Sequence, residues 1–437
     1  MFVRISDQMN TKRKLYTYLF LLIVLLITAC REQKPARQVS FAIFGDPAEL
    51  AAYEALVTAF ENEYPDIKIQ LRHTPGQSEY RRRLATEFSS GSPSDVMLLN
   101  YRRFATFAEQ GGLEPLGPYL AQSQHIQASD FFEPTIEAFQ LDDQLWCIPQ
   151  NVSSLVVYYN RDLFDAAGLS YPTDDWARDE FLAAARALTL DEDDDGRIDQ
   201  YGVGIDPNLF RLAPLIWQNG GELVDDPINP TRLALDTPEA LDALQWLVDL
   251  QVKEGVVPDA EAEAAESSES RFLNGRLGLY FNSRRGVPTY RTIKDFTWDV
   301  APLPRGSQAA GILHSDAYCL AAATQDKEAA WQFIEFANSA AGQKIVARSG
   351  RTVPSLKVVA DSPAFLDPSL PPANSQVFID TIPELRRVPI MTTWAGIEET
   401  ASKEIERAFY GQVSVQEAVD TAVTLTQPFF DEAANGR

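Results

Sequence analysis

The chain has 437 residues, 45% hydrophobic and 11% aromatic, with 38 Lys and Arg against 62 Asp and Glu for a formal charge of −24. Such a length exceeds one ordinary core, so two lobes are expected, and the apolar share is that of a folded rather than a disordered chain. The acidic balance argues against nucleic acid as a partner and weakly disfavours strongly anionic ligands, because phosphates need a positive surface.

Lys12-Arg13-Lys14 precede the run Leu15–Ala29, which is apolar apart from Tyr16, Thr17, Tyr18 and Thr28. A basic stretch followed by a short apolar one reads as a signal peptide over residues 1–29 rather than a spanning helix, and Met9 offers a second start close to the lysine pair. Ile27-Thr28-Ala29-Cys30 resembles a bacterial lipobox. That resemblance implies an exported protein, lipid-anchored at Cys30 to the outer face of the cytoplasmic membrane, with residues 30–38 as a polar tether.

Val39–Phe44 reads as a strand and Ile67–Leu71 as another. Between them Asp46, Pro47 and Glu49 form a capping pattern, and Tyr53, Leu56, Val57, Phe60 and Tyr64 share one helical face. This βαβ opening predicts an α/β lobe whose loops at strand C-termini face a cleft, with Gly45 and Asp46 there. Ser94–Leu99 is a third strand, ending at Asn100 and Tyr101. Leu145–Pro149 and Leu155–Tyr159 are strands around a polar break at Gln150-Asn151. Pro149 donates no ladder hydrogen bond, so the chain is expected to leave one lobe and enter the other here.

Pro149, Tyr159-Asn160, Arg161-Asp162-Leu163-Phe164 and Ala167-Gly168-Leu169 together resemble the first hinge crossing of the family 1 extracellular solute-binding proteins of ABC importers, which serve mostly sugars. The resemblance runs from about residue 38 to the C-terminus. It implies a two-lobed α/β fold, the type II periplasmic-binding-protein fold, each lobe a mixed sheet flanked by helices with the ligand cleft at the hinge. Residues 39–149 with 313–355 would form one lobe, and 150–312 with 356–437 the other.

Site residues follow from the same resemblance. Tyr101, beside Asn100, is the expected sugar-stacking ring of the first lobe, and Gln150 lies at the crossing. Trp176 reads as core, sharing a helical stripe with Phe181, Leu182, Ala185 and Leu188. Leu215–Glu222 resembles a W-x-x-G-G segment, with Trp217 as platform, Asn219 beside it, and Gly221 letting backbone approach the ligand. Asn282 and Arg284 follow an F-x-x-G-R element and are expected to meet hydroxyls, although a guanidinium there could equally meet a carboxylate or phosphate. Gly311–Tyr318 would be the second crossing, bringing His314 and Asp316, and Arg351–Pro354 the third. Trp394 opens a helix at the cleft edge. Cys147 and Cys319 fall near the hinge of the first lobe. Export permits a disulfide, but two buried free thiols are expected.

Asp191, Asp193, Asp195 and Asp199, with Gly196 at the sixth position, match the first part of a calcium loop, and the Arg197 carbonyl would be a further ligand. The twelfth position is Gly202, where a bidentate acid belongs, so the alternative is a solvated acidic turn. No other cofactor is required. Enzyme motifs are absent: there is no H-E-x-x-H, G-x-S-x-G or P-loop, and Gly202-Val203-Gly204 stops short of a dinucleotide fingerprint. The expected function is therefore capture of a mono- or oligosaccharide by a monomer, without catalysis, and delivery to permease subunits served by a cytoplasmic ATPase. The alternatives are another polar ligand such as a glycerol phosphate ester or an oligosaccharide acid, a sensor subunit, and a surface glycoside hydrolase.

Overall fold

The computed structural model describes residues 36–435, so the leader and Cys30 lie outside the described residues. The strands Arg37–Phe44 and Ile67–Thr74 run parallel and are joined by the helix Pro47–Glu63. Asp46 caps that helix, accepting from the amides of Ala48 and Glu49 at 2.9 Å each. Its face of Tyr53, Leu56 and Phe60 is buried, with Tyr53 edge-on to Phe41 of the sheet. Val96–Asn100 lies on the other side of Arg37–Phe44, also parallel.

Distant parts of the chain complete this first sheet. Asp316–Ala321 pairs antiparallel with Val96–Asn100, Leu113–Glu114 and Cys147–Pro149. The last register sets Cys319 opposite Cys147, with Cα atoms 4.5 Å apart, and the two form a disulfide. This corrects the expectation of free thiols. The strands are 172 residues apart in sequence, and nothing local reports their register.

The second sheet has Trp298–Ala301, Leu155–Asn160, Leu277–Ser283 and Tyr201–Gly204 in that order, the last pair parallel and the others antiparallel. Leu155–Asn160 is buried along its whole length, as a near-continuous apolar run covered on both faces should be. The helices Leu209–Gln218, Pro238–Val252, Trp394–Phe409 and Val415–Asn435 pack on one another beside this sheet. Trp176 is core, its indole donating to the Pro302 carbonyl at 2.9 Å.

Three strands of chain cross between the lobes side by side. Ser153 and His314 exchange both backbone hydrogen bonds, at 2.9 and 2.8 Å, and the Val152 amide donates to the Val353 carbonyl at 2.9 Å. The Gln150 amide donates to the Asp316 carbonyl at 2.8 Å. Each crossing is thus hydrogen-bonded to a neighbour, which leaves few free torsions to carry a hinge motion.

Candidate ligand-binding cleft

Against the three crossings lies a cavity of about 280 Å³ lined from both lobes. The first lobe contributes strand ends and helix starts: Phe44, Glu49, Gln77, Asn100 and Arg102. Facing them are Asn208, Phe210 and Arg211 at the start of the Leu209–Gln218 helix, Ser283 at the end of a strand and Arg285 just beyond it, and Glu398. Asn151, Ser153, His314, Asp316 and Arg351 line it from the crossings.

A network of charges organises the floor. Arg351 pairs through Nη1 with the Asp46 carboxylate and through Nη2 with Glu49 Oε2 at 2.7 Å. That second contact is an ion pair without hydrogen-bond alignment, since Glu49 Oε2 has no hydrogen-bond partner. Burial pushes the Glu49 carboxyl up to about 7, against the opposing pull of Arg351. Gly45 makes room for this carboxylate. Its φ is +139°, and an added Cβ would lie 1.6 Å from Glu49 Oε2, so no side chain fits there.

A second network spans the lobes. Arg102 donates through Nη1 to both Glu398 oxygens, at 2.6 and 2.7 Å, and through Nε to Asn100 Oδ1 at 3.0 Å. Asn100 Nδ2 in turn donates to Asp316 Oδ1 at 3.0 Å. Phe210 stacks on the His314 ring at 4.8 Å and carries the Arg102 guanidinium 3.7 Å from its centroid. His314 Nε2 is buried without a hydrogen-bond partner. Burial first, then Arg211, Arg102 and Arg285, hold this imidazole's pKa well below its usual value, so it is neutral at physiological pH and its nitrogen is available to a ligand hydroxyl.

Of the expected site residues, Asn100, His314 and Asp316 line the cleft. Gly45 and Asp46 support it from behind through Glu49 and Arg351. Gln150 is buried at the crossing, its Oε1 accepting from Asn151, and Asn151 is the residue that lines the cavity. The expected aromatic platforms are buried in the core. Tyr101 is 0% exposed and its hydroxyl accepts from the Val388 amide. Trp217 is 2% exposed under the Arg386 guanidinium, and Trp394 is 0% exposed with its indole donating to Glu398.

Asn219 bonds to Arg178 and to the Glu239 carbonyl, and Gly221 packs 2.8 Å, measured from an added Cβ, from Ala240 backbone, both away from the cavity. Asn282 receives Arg211 and donates to Tyr290, outside the lining. Arg284 is buried, donating to the Gly350 carbonyl at 2.8 Å and to Ser375 Oγ at 3.0 Å, with its guanidinium over the Phe365 and Phe378 rings. Their neighbours Ser283 and Arg285 face the cavity instead. Asn208, Phe210 and Arg211 were missed altogether. Their signal was the N-cap pattern of Asn208 before an apolar helix, and Asn208 Oδ1 does cap it, accepting from the Arg211 amide at 3.0 Å.

The acidic loop gathers one oxygen from each of Asp191, Asp193 and Asp195 within 4.8 Å of one another. Asp199 instead accepts from the Glu192 amide at 2.8 Å, and the Arg197 amide donates to Asp195. None of these residues lines the cleft.

Comparison with known proteins finds relatives of similar length and the same fold. A binding protein of Brucella abortus is 23% identical over 397 residues, 90% of this chain and 93% of that one. A maltooligosaccharide ABC transporter solute-binding lipoprotein of Streptococcus pneumoniae is 21% identical, covering 92% of this chain and 93% of its own. An ABC substrate-binding protein from Listeria monocytogenes, solved in complex with cycloalternan, superposes with a TM-score of 0.82 at 23% identity, over 92% of this chain and 99% of that one. The family model for bacterial extracellular solute-binding proteins matches residues 45–344. The chain therefore belongs to the bacterial extracellular solute-binding protein family.

Proposed function

We propose that the protein captures a carbohydrate between its lobes and presents it to an importer in the membrane. The observation that carries this reading is the interlobe cavity itself, lined by carboxylates, amides, hydroxyls, guanidinium groups and a neutral imidazole. Such a set can pair the many hydroxyls of a sugar, each acting as donor and acceptor. The named relatives that bind or transport oligosaccharides support the same class. Contacts from both sides exist together only when the cleft is shut, so ligand favours the closed arrangement by its differential affinity. The closed form would then be recognised by permease subunits served by an ATPase. Acylation at Cys30 would hold the protein near that permease and raise its effective concentration. The cleft residues bind and orient; no step of bond cleavage is assigned to them.

A thermal-shift screen of the purified protein against mono- and oligosaccharides and polyols tests this. A rise in melting temperature with one sugar class, with no product released from it, is the expected result. Turnover of the bound glycan would overturn the binding reading in favour of a hydrolase.

A further inference from the structure

A second, more apolar chamber of about 170 Å³ opens off the main cavity, sharing Phe44, Gln77 and Asn100 with it. Leu84, Leu98, Phe107 and Ala395 supply apolar wall, and Arg81 and Arg103 stand in it. Around the two chambers most charges are matched. Arg351 has Asp46 and Glu49, Arg102 has Glu398, and Arg211 has Asp206 at 3.2 Å.

Three guanidinium groups are left over. Among the described residues no carboxylate lies within ion-pair distance of Arg81 or of Arg285, which is exposed at the cavity wall. Arg103 reaches only the Glu398 already bound by Arg102, at 3.9 Å, and its buried Nε has no partner. The remaining carboxylate of the cleft, Asp316, accepts from Asn100. Burial is the largest cause lowering the Arg81 and Arg103 pKa values; Arg102 and then Arg285 add to it at Arg81, Arg81 and then Arg102 add to it at Arg103, and Glu398 opposes at both.

Two helices also start at this chamber without a side-chain cap, Gln77–Ser89 and Trp394–Phe409, and Thr393 Oγ1 at the second start is buried without a partner. Uncapped amides at the Gln77 start add positive potential where they emerge, whereas at the second start the Trp394 and Gly396 amides already donate to the Met391 and Thr393 carbonyls. A chain with 62 acidic residues to place nonetheless collects like charges here, at a cost that an anion would offset.

We propose that the carbohydrate carries an anionic substituent, a carboxylate or a phosphate, seated in the second chamber by Arg81 and Arg103 while Arg285 reaches it from the opposite lobe. This rests on the carbohydrate-capture reading and names its substrate class. The acidic surface of the whole chain and the basic lining of its cleft are not in conflict, because a narrow low-dielectric cleft is governed by its own lining. The apolar wall beside the guanidinium groups lowers the local dielectric and strengthens the pairing.

The test is calorimetric titration of the purified protein with trigalacturonate, glucose 6-phosphate, glycerol phosphate and citrate against galactotriose and glucose, at low and high salt. An acidic sugar should bind about 10- to 100-fold more tightly than its neutral counterpart, the worth of one or two charge-assisted hydrogen bonds. The preference should shrink at high salt and collapse in Arg81→Gln and Arg103→Gln, with melting temperatures near that of the parent. The carboxylate and phosphate arms separate the two sources of charge. Equal or tighter binding of the neutral sugars overturns the proposal and leaves carbohydrate capture standing. Binding of citrate or glycerol phosphate with no sugar bound supports the anion chamber and overturns the carbohydrate reading. No binding by any probe overturns both.

Discussion

Glu49 offers the sharpest test of the cleft's electrostatics. Its carboxyl sits at about 7 in the fold against an ordinary 4.5, with burial as the largest cause and Arg351 opposing it. Because the folded pKa is raised, the fold binds this proton more tightly than the unfolded chain does. The associated stability is fully present below about pH 4.5 and is lost as pH rises through about 7. At 1.36 kcal/mol per unit the full swing is about 3 kcal/mol. Glu49→Gln removes the titration while keeping the shape of the side chain. Urea unfolding of parent and variant from pH 4.5 to 8 isolates it from the other carboxylates, since they titrate in both proteins. The parent should lose about 2–3 kcal/mol relative to the variant across that window. A difference that stays flat with pH would mean that Arg351 outweighs burial and holds Glu49 ionised throughout, refuting the reasoning.

Other consequences are separately measurable. Trp217→Ala should cost about 3–5 kcal/mol of stability in chemical unfolding and leave the cleft lining intact, because the indole fills core rather than meeting ligand. Arg284→Ala strips the Gly350 carbonyl of a buried donor and should lower stability by about 3 kcal/mol in the same assay. Reducing Cys147–Cys319, or replacing both with Ser, should cost about 2–5 kcal/mol, read as a lower urea midpoint that reductant shifts no further in the Ser variant. For the Asp191–Asp199 loop, millimolar calcium should raise the melting temperature of the parent, reversibly with chelator, and leave an Asp193→Asn/Asp195→Asn variant unmoved.

The parts of the fold that local chemistry dictates were legible from sequence. The Asp46-Pro47 cap, the buried run Leu155–Asn160 and the break at Pro149 each follow from one short stretch, and all stand in the structure. The first crossing could be placed because a proline and a polar break interrupt an apolar strand, and the other two followed from the family resemblance. What failed needed tertiary information. Stacking chemistry favours Tyr101, Trp217 and Trp394 as platforms, yet large aromatics are also the best core fillers, and packing claimed all three. Asn282 and Arg284 missed the lining by one residue: the chain bends at the end of Leu277–Ser283, and a shift of one position turns a side chain to the other face. The disulfide depended on a register between strands far apart in sequence. His314 and Asp316 line the cleft because they lie on a crossing, although their neighbours Leu313 and Ser315 on the same crossing do not.

Ligand is expected between the lobes, against the crossings. A crystal structure of the protein with the tightest sugar from the screen tests it most directly. Ligand is predicted between Asn100 and Asp316 on one side and Phe210 and Arg285 on the other, with a hydroxyl at His314 Nε2. A separate cavity of about 230 Å³, lined by Leu155, Gln218, Gly311 and Glu384, offers the contrary outcome. Sugar bound there, with the interlobe cleft empty, would contradict the account.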